Sequence, residues 1–222
     1  MSDFNSLIPK LVFGFLPFLF ALCFHEFSHG WVANKLGDPT AKLMGRLTLN
    51  PVAHASLWGT IILPLVGMVS GLPVIGWANP VPVNSKNLRN QKMGMFWVAL
   101  AGPGSNMFLA SIAAVSVMVI RVHYAHAASS APLEEFAESF LVINLWLAFF
   151  NLIPINPLDG GKVFAIFLTD KMRRQLEGYE SYAPILLMLL FFTGALQFII
   201  APFVNFTGNL MLVASAHLLG AA

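Results

Sequence analysis

Charge is what this chain has least of. Asp, Glu, Lys and Arg supply 10% of its 222 residues against 57% hydrophobic, where a soluble domain carries about a quarter charged residues. That deficit excludes an ordinary water-soluble domain and points to one integral-membrane domain over residues 1–222. Cysteine is nearly absent too: Cys23 stands alone, so no intrachain disulfide forms. With a net charge of +2 and no basic patch interleaved with aromatics, nothing marks a nucleic-acid partner. No Asp, Glu, Lys or Arg occurs from Leu47 to Ser85, in 93–120, in 139–158 or after Glu180.

Against this background, ionisable residues inside an apolar stretch stand out. Between Lys10 and Lys35 the only formally charged residue is Glu26, within His25-Glu26-Phe27-Ser28-His29, an HExxH pattern. On a helix His25 and His29 share a face, with attachment points about 6 Å apart. Two neutral imidazoles placed so can hold one Zn²⁺, and Glu26 beside them can take a proton from water. At about 1.5 Å per residue the stretch reaches about 36 Å, enough to cross a bilayer. A lone membrane histidine is most simply a hydrogen bonder between helices, but three ionisable groups in five residues mark a functional site. Cys23 lies about 200° around the helix from His25 and reads as packing.

Taken in order, the chain predicts a helix over 8–34, ended by Gly37-Asp38-Pro39, then a strand over 41–50 stopped by Pro51. Residues 57–72 are apolar but short. The prolines of Gly76–Asn84 suit an edge strand or extended loop. Lys86, Arg89 and Lys92 form a basic hinge before a helix over 93–121, where Gly102 and Gly104 permit close helix approach and Pro103 frees backbone groups for Ser105 or Asn106. Glu134, Glu135 and Glu138 read as a solvated loop, followed by a helix over 136–158 that leads into Leu158-Asp159-Gly160-Gly161. A charged stretch, 162–180, precedes a C-terminal helical region, 183–222, in which 183–201 has the length of a span. The fold class is a polytopic α-helical membrane protein of about four to six transmembrane helices, with a re-entrant, partly β region (41–84) between the first helix and the Gly-Pro-containing one.

A catalytic zinc usually has three protein ligands and an open water position. Among the remaining acids Asp159 is best placed, at the end of a hydrophobic helix and before two glycines. The alternative for Asp159 is a helix-cap or turn aspartate. His54, in the charge-free stretch after the first helix, is the strongest remaining histidine. If Asp159 joins His25 and His29, all three share one membrane depth. Were 57–72 to span, Asp159 would emerge on the opposite side from the histidines. If it dips and returns, Asp159 emerges on the Lys35 side, together with all 12 Lys and Arg except Lys10 and Arg121. The positive-inside rule makes that side cytoplasmic. The expectation is a re-entrant 47–85 region and a multi-pass protein of the cell membrane with its site toward the cytoplasm.

His25-Glu26-Phe27-Ser28-His29, and Asn151-Leu152-Ile153-Pro154 running into Leu158-Asp159-Gly160-Gly161, together resemble the site-2 proteases, the intramembrane zinc metalloproteases of peptidase family M50. Gly45–Pro51 with His54, Gly76-Trp77 with Pro80–Asn84, and Ala101-Gly102-Pro103 with Asn106 resemble its compact prokaryotic branch, without PDZ or CBS domains. This sequence has Ser56-Leu57 where many members of that branch carry Asp-Pro. The resemblance implies one Zn²⁺ held by His25, His29 and Asp159, with Glu26 as general base. It implies substrate contacts from Asn151, and the segments that resemble the compact branch add Asn106 and His54 as substrate-binding candidates. It further implies a small embedded sheet over 42–84 onto which an unwound substrate adds as a strand.

The expected function is hydrolysis of peptide bonds in transmembrane protein or peptide substrates, in contact with the lipid bilayer and with room for a regulatory membrane partner. The rivals are a membrane metal or proton transporter, which would line several helices with polar groups through the full thickness, and a catalytically inactive binding relative.

Overall fold

The computed structural model describes residues 7–70, 76–124, 127, 130–169, 171–172, 178 and 180–221. Asp170, Arg173, Arg174 and Glu177 of the charged 162–180 stretch lie outside the described residues. A π-helical turn, Leu11–Phe15, leads into helix α1, Leu16–Lys35. Short helices α2 (Thr40–Leu43) and α3 (Pro51–His54), a second π-turn (Leu57–Ile62) and α4 (Leu63–Ser70) follow. Then come the long helices α5 (Gln91–His123) and α6 (Ser130–Asn151), short α7 (Asp159–Phe164), α8 (Ala183–Phe192) and α9 (Ala195–Leu218).

Helix α5 starts where Asn90 caps it by accepting from Met93 N–H at 3.0 Å. It runs 33 residues, about 50 Å at about 1.5 Å per residue. It lies antiparallel to α1. Arg89 N–H donates to Leu36 O at one end, His29 meets Val98 O further along, and Ala21 O meets Asn106 beyond that. Helix α6 returns antiparallel to α5, with Asn144 beside Asn106 and with Glu134 and Glu138 paired to Arg121 at the far end. Buried Ala110, Ala113 and Ala114 on α5 let Leu141 and Leu145 of α6 and Leu196, Ile200 and Val204 of α9 pack close.

These contacts order the two ends of the bundle. The C-terminus of α1, the N-terminus of α5 and the C-terminus of α6 lie together, so the 36–90 excursion leaves and returns at one end. Asp38 clasps its base, accepting from Asn84 N–H at 2.6 Å and Asn87 Nδ2 at 2.9 Å. A second return is nested inside it. Asn79 N–H donates to His54 O at 2.9 Å and Trp77 N–H to Gly59 O at 3.0 Å, so the chain beyond α4 comes back past its own start.

Several expectations need correction. The strand expected over 41–50 does not form. Thr40–Leu43 is helical, and Met44 and Arg46 donate locally to Thr40 O and Ala41 O, which uses the amides a ladder needs. Residues 76–84 are extended but unladdered. Pro80 and Pro82 lack N–H groups, and the amides of Trp77, Asn79, Val81 and Asn84 go to the Gly59 and His54 carbonyls and to the Glu26 and Asp38 carboxylates instead. No strand occurs among the described residues.

Helix α6 covers Ser130–Asn151 rather than 136–158. Glu134 and Glu138, four apart on one face, are drawn into it by Arg121, while Pro154 and Pro157 break 152–158 into turns. The C-terminal region divides at Thr193–Gly194. Three described helices are long and apolar enough to cross a membrane: Leu7–Lys35, Gln91–His123 and Ala195–Leu218.

Candidate metal centre

One turn of helix separates His25 from His29, and their rings meet edge to face with centroids 4.6 Å apart. Both are buried, at 4% and 9% exposed. Their Nε2 atoms lie 3.0 Å apart, and Asp159 Oδ2 lies 3.1 Å from His25 Nε2 and 3.2 Å from His29 Nε2. The structure therefore brings the two α1 histidines and the first residue of α7 into one triangle of donor atoms.

Two glycines make the triangle possible. A Cβ at Gly102 of α5 would stand 2.4 Å from His29 Nε2 and 2.6 Å from His25 Cε1, so the ring pair rests on bare backbone. Gly104, also expected at a close approach, meets nothing within 4 Å. A Cβ at Gly160 would stand 2.3 Å from Ile153 O, so only glycine lets the 152–158 turn fold back over the start of α7 and present Asp159 inward.

The far side of each ring is also held. His29 Nδ1 lies 2.6 Å from Val98 O. A carbonyl only accepts, so this nitrogen carries the ring proton and Nε2 keeps its lone pair. His25 Nδ1 lies 2.7 Å from Asn106 Oδ1. With both rings neutral, Nε2 lone pairs and a carboxylate oxygen face one another in a buried pocket, an arrangement that a bound cation neutralises. Ligands at about 2.0–2.2 Å around tetrahedral zinc stand about 3.3–3.5 Å apart, so the observed triangle matches within a few tenths of an ångström. The residues fit the metal. Among the described residues this is the one group of three such side chains.

Glu26 sits one residue after His25 and about 100° around α1. Its Oε2 accepts from Val81 N–H at 2.9 Å. Glu26, His25, His29 and Asp159 line a cavity of about 380 Å³ together with Val81, Val83, Met95, Val98, Ala99, Asn151 and Lys162. Apolar walls from Pro80, Val81, Val83, Met95, Val98 and Ala99 face the polar groups, with Lys162 as the cationic one.

The other sequence candidates separate. Asn151 lines the cavity, its Nδ2 donating back to Leu147 O at 2.9 Å. Asn106 does not: it is fully buried behind His25, with its amide engaged by His25, Ala21 O and Asn144. His54 is buried away from the cavity, with Nε2 on Thr48 O at 2.8 Å. Cys23 turns away as well, its thiol donating to Leu49 O at 3.1 Å.

Sequence reasoning passed over Asn144, Val98, Val81 and Lys162. Asn144 had a usable signal, an amide in the uncharged 139–158 stretch two turns before Asn151. Val98 and Val81 act through backbone atoms, which residue type does not reveal.

Comparison with known proteins bears on this geometry. The family described as "Peptidase family M50" matches residues 13–122 and 116–194. The chain is 35% identical over 202 residues to a Bacillus subtilis protein named "Putative zinc metalloprotease YwhC", covering 90% of this chain and 88% of that one. It is 29% identical over 182 residues to "Putative zinc metalloprotease Rip2" of Mycobacterium tuberculosis, covering 81% of this chain and 66% of that protein. No solved structure matches the chain.

Proposed function

This chain belongs to peptidase family M50, and from that premise we propose that it is an intramembrane zinc metalloprotease that hydrolyses peptide bonds of transmembrane substrates. The observation that carries the reading is the convergence of His25 Nε2, His29 Nε2 and Asp159 Oδ2 at 3.0–3.2 Å, in a cavity that the Glu26 carboxylate also lines. Zinc is the cofactor, and when bound by His25, His29 and Asp159 it supplies the Lewis acidity that activates water and polarises a carbonyl.

The protein's own groups do the rest. Glu26 takes a proton from the attacking water as the water oxygen bonds to the scissile carbonyl carbon. It then delivers that proton to the leaving nitrogen as the C–N bond breaks, which gives a carboxylic acid and an amine, ionised as carboxylate and ammonium once the acid's proton passes to the amine. Val81 N–H holds the Glu26 carboxylate toward the cavity. Asn151, on the cavity wall, offers an amide to the substrate backbone, and Val83, Met95 and Ala99 offer small apolar surface to its side chains. A helical substrate hides its carbonyls in hydrogen bonds and must unwind to reach the site. The extended 76–84 segment beside the cavity is the natural surface along which an unwound chain would lie.

The nested return of Trp77 and Asn79 past Gly59 and His54 supports the re-entrant reading of 47–85, in which 57–72 dips into the bilayer and does not cross it. Such irregular backbone is tolerated where protein covers it. Lys35, Lys42, Arg46, Lys86, Arg89, Lys92 and Lys162 then gather at the end holding the site, which the positive-inside rule makes cytoplasmic.

The deciding experiment is cleavage of a single-span substrate by reconstituted protein, wild type against Glu26→Gln. Wild-type cleavage abolished by a zinc chelator and by Glu26→Gln supports the reading. Zinc-loaded wild type that cuts no membrane substrate, or a Glu26→Gln protein that cuts equally well, overturns it.

A further inference from the structure

Behind His25, away from the cavity, lies a chain of amides that touches neither metal ligand oxygen nor substrate surface. Asn106 of α5 and Asn144 of α6 are both fully buried. Asn144 Nδ2 donates to Phe140 O at 2.8 Å. Asn106 Nδ2 lies 2.9 Å from Asn144 Oδ1 and 3.2 Å from Ala21 O, and Asn106 Oδ1 lies 2.7 Å from His25 Nδ1.

The direction of every bond in this chain follows from its last member. Phe140 O is a carbonyl and can only accept, so the nitrogen of Asn144 faces it and the oxygen of Asn144 faces Asn106. That oxygen accepts, so Asn106 presents its nitrogen, whose second hydrogen serves Ala21 O. Both Asn106 hydrogens are then spent, and its oxygen must face His25. An oxygen there accepts, so the His25 proton sits on Nδ1 and the lone pair of Nε2 points at Asp159 and His29. Reversing any one amide sets donor against donor or acceptor against acceptor in a site without water, a costly mismatch.

We propose that Asn106 and Asn144 are positioning residues that set the tautomer and ring orientation of His25, so that its Nε2 lone pair is held ready for zinc. The proposal rests on the metalloprotease reading. It assigns Asn106 a role other than substrate contact and gives Asn144, on a different helix from His25 and out of reach of the metal, an effect on metal affinity. It also makes the pairing of α5 with α6 part of the metal site.

The test measures zinc affinity of purified protein in detergent by chelator competition, for wild type, His25→Ala, Asn106→Leu, Asn106→Asp and Asn144→Leu, with thermal unfolding of each metal-free protein alongside. Asn106→Leu, similar in size but without an acceptor, is expected to lose roughly 10- to 100-fold in zinc affinity. Asn106→Asp, kept protonated by burial and by the facing oxygens of Asn144 and Ala21, holds an acceptor for His25 Nδ1–H and one donor, and should lose less than Asn106→Leu. Asn144→Leu should weaken zinc roughly threefold or more, since Asn106 loses the partner that orients it. Wild-type affinity in both leucine variants, or an Asn106→Asp loss as large as that of Asn106→Leu, overturns the proposal.

Wild type that holds zinc no better than His25→Ala overturns the metalloprotease reading itself, a separate outcome. Should the leucine variants fail to fold, the ¹⁵N spectrum of histidine-labelled, metal-free wild type decides. A His25 proton on Nδ1 supports the relay, with or without a second proton on Nε2 facing Asp159; a ring protonated on Nε2 alone, or exchange between the two tautomers, overturns it.

Discussion

Val81 N–H donates to Glu26 Oε2 across 2.9 Å, so the carboxylate beside the metal triangle is tied to the returning arm of the 36–90 excursion. A group from a segment with no regular secondary structure thereby orients a side chain of the most regular one. The excursion is part of the site, and changes far from the histidines should register there.

Glu26→Gln keeps the size of the side chain and removes the proton acceptor. Cleavage should fall about a hundredfold or more, while zinc content, measured by metal analysis, stays at the wild-type level because Glu26 is outside the donor triangle.

Val81→Pro removes one N–H from a segment where Pro80 and Pro82 already enforce extended backbone. A hydrogen bond to a charged group contributes about 1.5–3 kcal/mol, so turnover should drop roughly tenfold or more with Glu26 no longer held. Chelator competition should show zinc affinity unchanged.

Gly102→Ala places a methyl 2.4 Å from His29 Nε2, against Gly104→Ala, which meets nothing within 4 Å. The first should cost about 1–3 kcal/mol by overpacking and weaken zinc binding. The second should be neutral or slightly stabilising, since alanine favours helix over glycine. Thermal unfolding and zinc titration of the two proteins make the comparison.

Asp38 should give the excursion a pH dependence. Burial raises the carboxyl pKa, but hydrogen bonds from Thr40, the Asn87 side chain and the Asn84 amide outweigh it and hold the group below its ordinary 3.8. A depressed folded pKa means stability that is fully present above the ordinary value and lost as pH falls through the folded one. Protection of the 36–90 amides from hydrogen exchange should therefore decline below about pH 4. Asp38→Asn should abolish that decline, and at neutral pH it should cost about 1–3 kcal/mol for the donors left mispaired.

What could be read before folding was local chemistry. The spacing of His25 and His29 puts both rings on one face of any helix, Gly37-Asp38-Pro39 stops that helix, and the scarcity of acids in apolar stretches singles out Asp159. Expecting His25, His29 and Asp159 to meet also places the end of α1 beside the end of α6, an order that the contacts among the helices share.

Beyond this the sequence was silent for physical reasons. The 41–50 segment alternates imperfectly and the prolines of 76–84 suit an edge strand, but strands exist only where a neighbour offers a ladder; here local helix carbonyls took the amides of Met44 and Arg46, and the Glu26 and Asp38 carboxylates took those of Val81 and Asn84. Asn106 looked like a group for substrate because side-chain type does not say which way an amide points. Its partner Asn144, the Val98 carbonyl and the Val81 amide belong to segments brought to the site by packing alone. The sequence by itself determined which atoms are able to hold a metal. Only the tertiary structure decided which hydrogen bonds orient them, since those run between helices whose mutual rotation is set by the fit of Gly102 under two imidazole rings and of small alanines under leucines.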